Sequence, residues 1–199
     1  MKNTAGYLDD CLVVFALKAE SGGRFDAFNT VYCGVGKVNA AYRLTQALMQ
    51  WKHERGRAPR LVLNLGSAGS PHFHTGEVVN CTGFIQRDFD VSAFGHDLYV
   101  NPFDKLPGLL KTGRRWDAHP EGICGTGDSF VADASQPTPW NVMDMEAYAL
   151  ARVCAAEEIP FGCLKYITDG ADGDAATVWE QRLAAAALAL EGAVSGLKV

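Results

Sequence analysis

Short apolar runs of strand length alternate along this chain with stretches of helical period, and that alternation restricts it to an α/β fold. The strand-like runs are Cys11–Leu17, Thr30–Cys33, Arg60–Leu65, Glu77–Phe84 and Phe161–Ile167. Between them, Lys37–Trp51 carries Val38, Ala41, Leu44, Ala47 and Leu48 near a 3.6-residue period. Met145–Ala156 reads as a helix through Ala149, Leu150 and Val153, and the Ala/Leu-rich Thr177–Leu197 reads as a closing helix. Strands alternating with helices imply a sandwich around a parallel or mixed sheet. Residues 94–139, rich in Pro, Gly and Asp, read as loops with short strands and a helix near Leu106–Leu110. No stretch resembles a linker or a repeat, and 199 residues suit a single domain, 1–199, with one core.

Composition removes several function classes. A formal net charge of −5 argues against a nucleic-acid or anionic-membrane surface. No apolar stretch is long enough to cross a bilayer, and the opening MKNTAGYLDD lacks the pattern of a secretory signal. The six cysteines form no CxxC pair and lie mostly in apolar runs, so buried free thiols in a reducing cytoplasm are expected. His72 and His74 are neighbours in a Gly/Ser/Pro loop without further ligands, and no metal site is expected.

Ligands of open α/β sheets bind at the carboxyl ends of strands. One such end here is Gly66-Ser67-Ala68-Gly69-Ser70, whose small residues allow backbone N–H groups and the Ser67 hydroxyl to approach a ligand; an ordinary turn would look the same. A second is Thr168-Asp169-Gly170-Ala171-Asp172, following a strand that Lys165 interrupts. On a regular strand Lys165, Ile167 and Asp169 share a face, where Lys165 and Asp169 would satisfy each other or a ligand. The alternative is an edge strand with Asp169 capping the next helix. In Asp144-Met145-Glu146, Asp144 can be a helix cap, or Glu146 can accept hydrogen bonds from two neighbouring hydroxyls such as those of a ribose.

Six segments in order, Cys33–Ala41 (CGVGKVNAA), Asn64–Gly69 (NLGSAG), Asp90–Gly95 (DVSAFG), Gly127–Phe130 (GDSF), Met143–Ala147 (MDMEA) and Ile167–Asp172 (ITDGAD), resemble the purine nucleoside phosphorylase/nucleosidase superfamily. The resemblance spans almost the whole chain and is closest to the methylthioadenosine/S-adenosylhomocysteine nucleosidases. It implies a three-layer α/β/α sandwich around a mixed, barrel-like sheet, a homodimer, a small-molecule nucleoside substrate, and no metal or organic cofactor. It implies that Asp169 donates a proton to purine N7, that Phe130 stacks on the base, and that the Val131 backbone bonds the base edge. Glu146 would hold the ribose hydroxyls with Met145 packed on the sugar, and Glu20 would orient the attacking water with help from Ser67 in its loop with Gly69. Leu17, Val35 and Trp179 would line the sugar and 5′ pocket, and Lys165 stands where these nucleosidases generally carry arginine.

The expected activity is hydrolysis of the N-glycosidic bond of an adenine nucleoside. Phosphorylases of the superfamily typically place an arginine three residues before the serine of the Gly-Ser loop, and here that residue is Asn64. Lys165 and Arg24 nevertheless leave positive charge near the nucleophile and keep phosphorolysis as the alternative. A non-catalytic nucleoside-binding protein is the other class, disfavoured by the joint presence of Glu20, Glu146 and Asp169. The intervals from Glu20 to Gly34, Gly95 to Leu106 and Val131 to Met143 are shorter than usual for the family, and Trp179 replaces a common phenylalanine. The 5′ substituent, whether methylthio, homocysteinyl, hydroxyl or a futalosine-type aryl group, is therefore left open.

Overall fold

The computed structural model describes residues 8–104, 106–131, 136–170, 175–195 and 197, with the side chains of 175–180 outside that description. Eight strands and four helices follow one another: β1 (Cys11–Phe15), α1 (Lys18–Ser21), β2 (Thr30–Tyr32), α2 (Lys37–Arg55), β3 (Leu61–Gly69), β4 (Val78–Gln86), β5 (Leu109–Leu110), β6 (Glu121–Thr126), β7 (Val142–Asp144), α3 (Ala147–Ala156), β8 (Phe161–Asp169) and α4 (Ala175–Ser195). The expected mixed α/β/α architecture is present. The helix expected near Leu106–Leu110 is instead the short strand β5, paired antiparallel to β4; β6 is one of the short strands expected within residues 94–139, and β7 and α1 are additions.

All eight strands belong to one mixed sheet in the order β2-β1-β3-β7-β6-β4-β5. The last long strand, β8, pairs parallel to β3 on one side and antiparallel to β4 on the other. The path β3-β7-β6-β4-β8 therefore returns to β3, closing five strands into a ring with β1 and β2 as an extension. That closure carries the carboxyl ends of β3, β7 and β8 to one place.

Side-chain alternation decides which face each strand residue serves. Cys11, Val13 and Phe15 of β1, Leu61, Leu63 and Leu65 of β3, and Leu164 and Tyr166 of β8 pack with Ala186, Leu190 and Val194 of α4. The intervening Leu12, Val14, Val62, Phe161, Cys163 and Ile167 face the other way, into a core shared with α2 and α3. Strands buried on both faces need continuous apolar runs, which is why these segments lack the polar alternation of a surface sheet. On α2 the buried stripe is Ala40, Leu44, Leu48 and Trp51, rotated from the expected one, so that Val38 points to solvent with 79% exposure. All six cysteines are buried. Among the described residues no helix is long and apolar enough to cross a membrane.

Candidate active site

Glu20 is held by three protein donors. The short helix α1 turns it inward beneath β3, where it is buried. Its Oε1 accepts the Ser67 N–H at 2.9 Å and the Ser67 hydroxyl at 2.7 Å, and its Oε2 accepts the Leu17 N–H at 3.0 Å. A carboxylate has about four acceptor positions, so three protein donors leave one for a ligand or water. Gly66 makes this approach possible: a Cβ there would lie 3.1 Å from Glu20 Oε1 and 3.6 Å from Lys165 Nζ. The small residues Gly66–Gly69 continue β3 rather than forming the expected loop.

Asp169 ends β8, where the ladder to β3 slips by one residue. Ile167 opposes Ala68, Asp169 opposes Gly69, and Thr168 is left over. A bulge of this kind re-aims side chains, and Thr168 and Asp169 both line the cavity while Ile167 remains in the core. The regular-strand alternation expected for Lys165, Ile167 and Asp169 therefore fails at its last step. The Thr168 hydroxyl donates to Asp169 Oδ2 at 2.7 Å.

Glu146 sits between β7 and α3 and accepts the Gly36 N–H on Oε1 at 2.8 Å. Gly36 has φ +92° and Gly34 has φ +80°, backbone conformations that favour glycine, and they turn the β2–α2 loop so that its amide faces the carboxyl group. Burial first and the Asp144 charge second raise the Glu146 carboxyl to about 8, against the opposing pull of Lys165 and the Gly36 N–H.

Lys165 is only 2% exposed, and its Nζ lies 2.8 Å from Asp144 Oδ2. Burial works against its charge, but Asp144, with smaller contributions from Cys163, Cys124 and Glu146, outweighs it and holds the lysine well above its usual range. Burial likewise opposes ionisation of Asp144, yet Lys165, the Thr126 hydroxyl and the Ala147 N–H together hold it below the usual carboxylate range.

Glu20, Glu146 and Asp169 open into one cavity of about 390 Å³, a size suited to a small organic ligand. Leu17, Val35, Ser67, Gly69, Phe130, Val131 and Met145 line it too. Phe130 is 51% exposed. Of the residues expected in the site, Lys165 does not line the cavity: its ammonium is taken by Asp144, not by Asp169 or by the open space. Trp179 lies outside the described side chains.

A sequence profile described as "Phosphorylase superfamily" matches residues 28–195. The chain belongs to the phosphorylase superfamily. It is 32% identical over 193 residues to a 5′-methylthioadenosine/S-adenosylhomocysteine nucleosidase of Anoxybacillus flavithermus, covering 83% of this chain and 78% of that protein. It is 34% identical over 176 residues to the enzyme of the same name from Actinobacillus succinogenes, covering 77% and 73%. Among solved structures, a Helicobacter pylori nucleosidase mutant holding 5′-methylthioadenosine superposes with TM-score 0.80 at 21% identity, over 94% of this chain and 98% of that one. The native futalosine hydrolase of H. pylori superposes with TM-score 0.78 at 21% identity, over 96% and 100%. The likeness to these two structures concerns the superfamily fold.

Within this superfamily chain, several cavity residues were given no ligand-binding role by sequence: Ala16, Ala68, Arg87, Ser129, Met143, Thr168 and Asp144, which was read as a helix cap. The partner of Lys165 had a detectable signal, because a lysine inside an apolar strand demands a buried carboxylate. Asp169 was nearer in sequence, but the sheet closure delivers Asp144. Arg87 carried no signal; its guanidinium is used on the Gly127 carbonyl and on the Ser129 carbonyl and hydroxyl.

The raised Glu146 carboxyl sets a pH dependence with a definite sign. The folded state binds this proton more tightly than the unfolded chain, whose ordinary value is 4.5, so the stabilising contribution is complete below 4.5 and is lost as pH rises through about 8. Thermal melts of wild type and Glu146→Gln across that range should show wild type losing ground as pH rises; a constant difference would contradict the assignment.

Proposed function

We propose that this chain hydrolyses the N-glycosidic bond of an adenine nucleoside of the 5′-methylthioadenosine/S-adenosylhomocysteine type, releasing adenine and the ribose moiety. The observation that carries the reading is the meeting of Glu20, Glu146 and Asp169, distant in sequence, around one cavity. The nucleosidase names of relatives above 30% identity support the same substrate class.

Each carboxyl group has a separable task. Adenine leaves poorly as an anion, and a proton delivered by Asp169 to N7 makes it a better leaving group. Phe130 and Val131 receive the base. Glu146 keeps Oε2 available beside the Oε1 held by Gly36 and accepts the vicinal ribose hydroxyls, with Met145 against the sugar. As the bond to the base stretches, the sugar gains oxocarbenium character, which the Glu20 carboxylate stabilises electrostatically. Glu20, fixed by three donors, uses its remaining acceptor position to orient the water that attacks the face opposite the base. Leu17 and Val35 border the sugar end.

Water is favoured over phosphate by where the cations lie. Phosphate needs guanidinium or ammonium groups at the nucleophile. The Asn64 amide donates to the Val14 carbonyl in the core. Lys165 is committed to Asp144, and Arg24 forms a surface pair with Glu191.

A homodimer accompanies this reading. Val35, Val38, Tyr42 and Met49 leave an exposed apolar stripe beside the cavity mouth, and Phe94 and Phe103 project from the 92–103 loop, Phe103 with 90% exposure. An apolar surface of this kind suits a second copy. The buried cysteines suit a cytoplasmic setting. A single monomeric species in sedimentation at micromolar concentration would remove the dimer from the proposal.

The test is release of free adenine, in phosphate-free buffer, from a panel containing methylthioadenosine, S-adenosylhomocysteine, adenosine and futalosine. Methylthioadenosine or S-adenosylhomocysteine should be cleaved, and Asp169→Asn should lower kcat by about 10²- to 10⁴-fold with KM changed only a few-fold. Base release that needs phosphate and yields a sugar 1-phosphate would replace hydrolysis with phosphorolysis, and tight binding without turnover would make the chain a binding protein.

A further inference from the structure

The amino end of α3 lies where the cavity needs a carboxyl group, and these two demands compete. A helix N-terminus leaves N–H groups without intrahelical partners, and the residue at the cap position ordinarily satisfies one with its own side chain. Glu146 occupies that position and makes no such bond. Its side chain instead leans across to the Gly36 N–H and into the cavity.

The capping is done from elsewhere. Asp144 Oδ2 accepts the Ala147 N–H at 2.9 Å. Thr126 Oγ1 accepts the Tyr148 N–H at 2.9 Å and donates its own proton to Asp144 Oδ1 at 2.5 Å. Thr126 and Asp144 face each other in the β6–β7 ladder, so strand pairing sets their separation. Lys165, reaching in from β8, neutralises Asp144. Thr126, Asp144 and Lys165 are all buried and come from three different strands.

We propose that Thr126, Asp144 and Lys165 form a positioning unit that caps α3 in place of Glu146 and thereby frees Glu146 for the ligand. The proposal deepens the functional reading above, since it rests on Glu146 serving the sugar. None of the three is a catalytic residue in this account; they act through Glu146. With the unit intact, the first-turn amides are already satisfied, and nothing draws the Glu146 carboxyl back onto its own helix. Without the Thr126 hydroxyl, the Tyr148 amide loses its acceptor and Glu146 is the nearest replacement in sequence.

Thr126→Val keeps the shape of the side chain and removes its hydrogen bonds to Asp144 and Tyr148. Amide exchange followed by NMR in the ligand-free protein reads the consequence at Gly36, whose N–H is held by Glu146. Exchange at Gly36 should accelerate about tenfold. KM for methylthioadenosine should rise about tenfold, with kcat changed less than about threefold. Thr126→Ser, which restores the hydroxyl, should restore both. If Thr126→Val is too unstable to study, Thr126→Ala is read in the same way. A lowered melting temperature with wild-type Gly36 exchange would overturn the proposal and leave Thr126 a merely structural residue, whatever happens to KM. Faster Gly36 exchange with unchanged KM would uphold the positioning unit and remove Glu146 from the sugar site.

Discussion

The whole arrangement depends on β8 hydrogen-bonding along both of its edges, to β3 on one side and to β4 on the other. An open sheet would spread the strand ends over a long edge. Closing the sheet gathers them, so that Ser67 on β3, Glu146 after β7 and Asp169 on β8 share a single opening with Glu20 of α1. The closure also leaves little room inside the ring. Gly66 supplies that room by lacking a side chain, and Glu20 and Lys165 approach through the space it leaves.

Crowding of like charge is the second consequence. Glu20, Asp144, Glu146 and Asp169 are all buried, and Lys165 is the buried cation set against them among the described residues. A lone buried ion pair is weak support for stability, and it is strongly destabilising only when one partner is lost. The value of Lys165 and Asp144 here lies in fixing where the neighbouring carboxyl groups point. Burial and, after it, the Asp144 charge push the Glu146 carboxyl upward, and positive character that a ligand develops in the cavity would favour its ionised form.

Much of the fold was legible because β1, β3, β4 and β8 are continuous apolar runs and α2, α3 and α4 keep a helical period. The Gly- and Ser-containing end of β3 looked like a turn, since small residues mark turns and close backbone approaches alike. The strands β6 and β7 were hidden in a segment where Gly122, Gly125 and Pro139 dilute the apolar signal. The carboxylates of the site came from motif resemblance, whereas the use made of Lys165 depended on long-range closure. A bulge at Thr168, invisible in the sequence, separates Asp169 from the strand face it would otherwise share with Lys165.

Division of labour among three carboxyl groups requires one nucleoside in one orientation, with the base toward Phe130 and Asp169, the hydroxyls on Glu146, and the anomeric carbon open to a water on Glu20. A crystal structure with a non-cleavable adenine nucleoside such as methylthiotubercidin examines that requirement directly. The base should lie on Phe130 within hydrogen-bonding reach of Asp169, with both ribose hydroxyls on Glu146 Oε2 and an ordered water between Glu20 and the anomeric carbon. A nucleoside bound outside this cavity, or turned so that the sugar meets Asp169 and the base meets Glu146, would contradict the account.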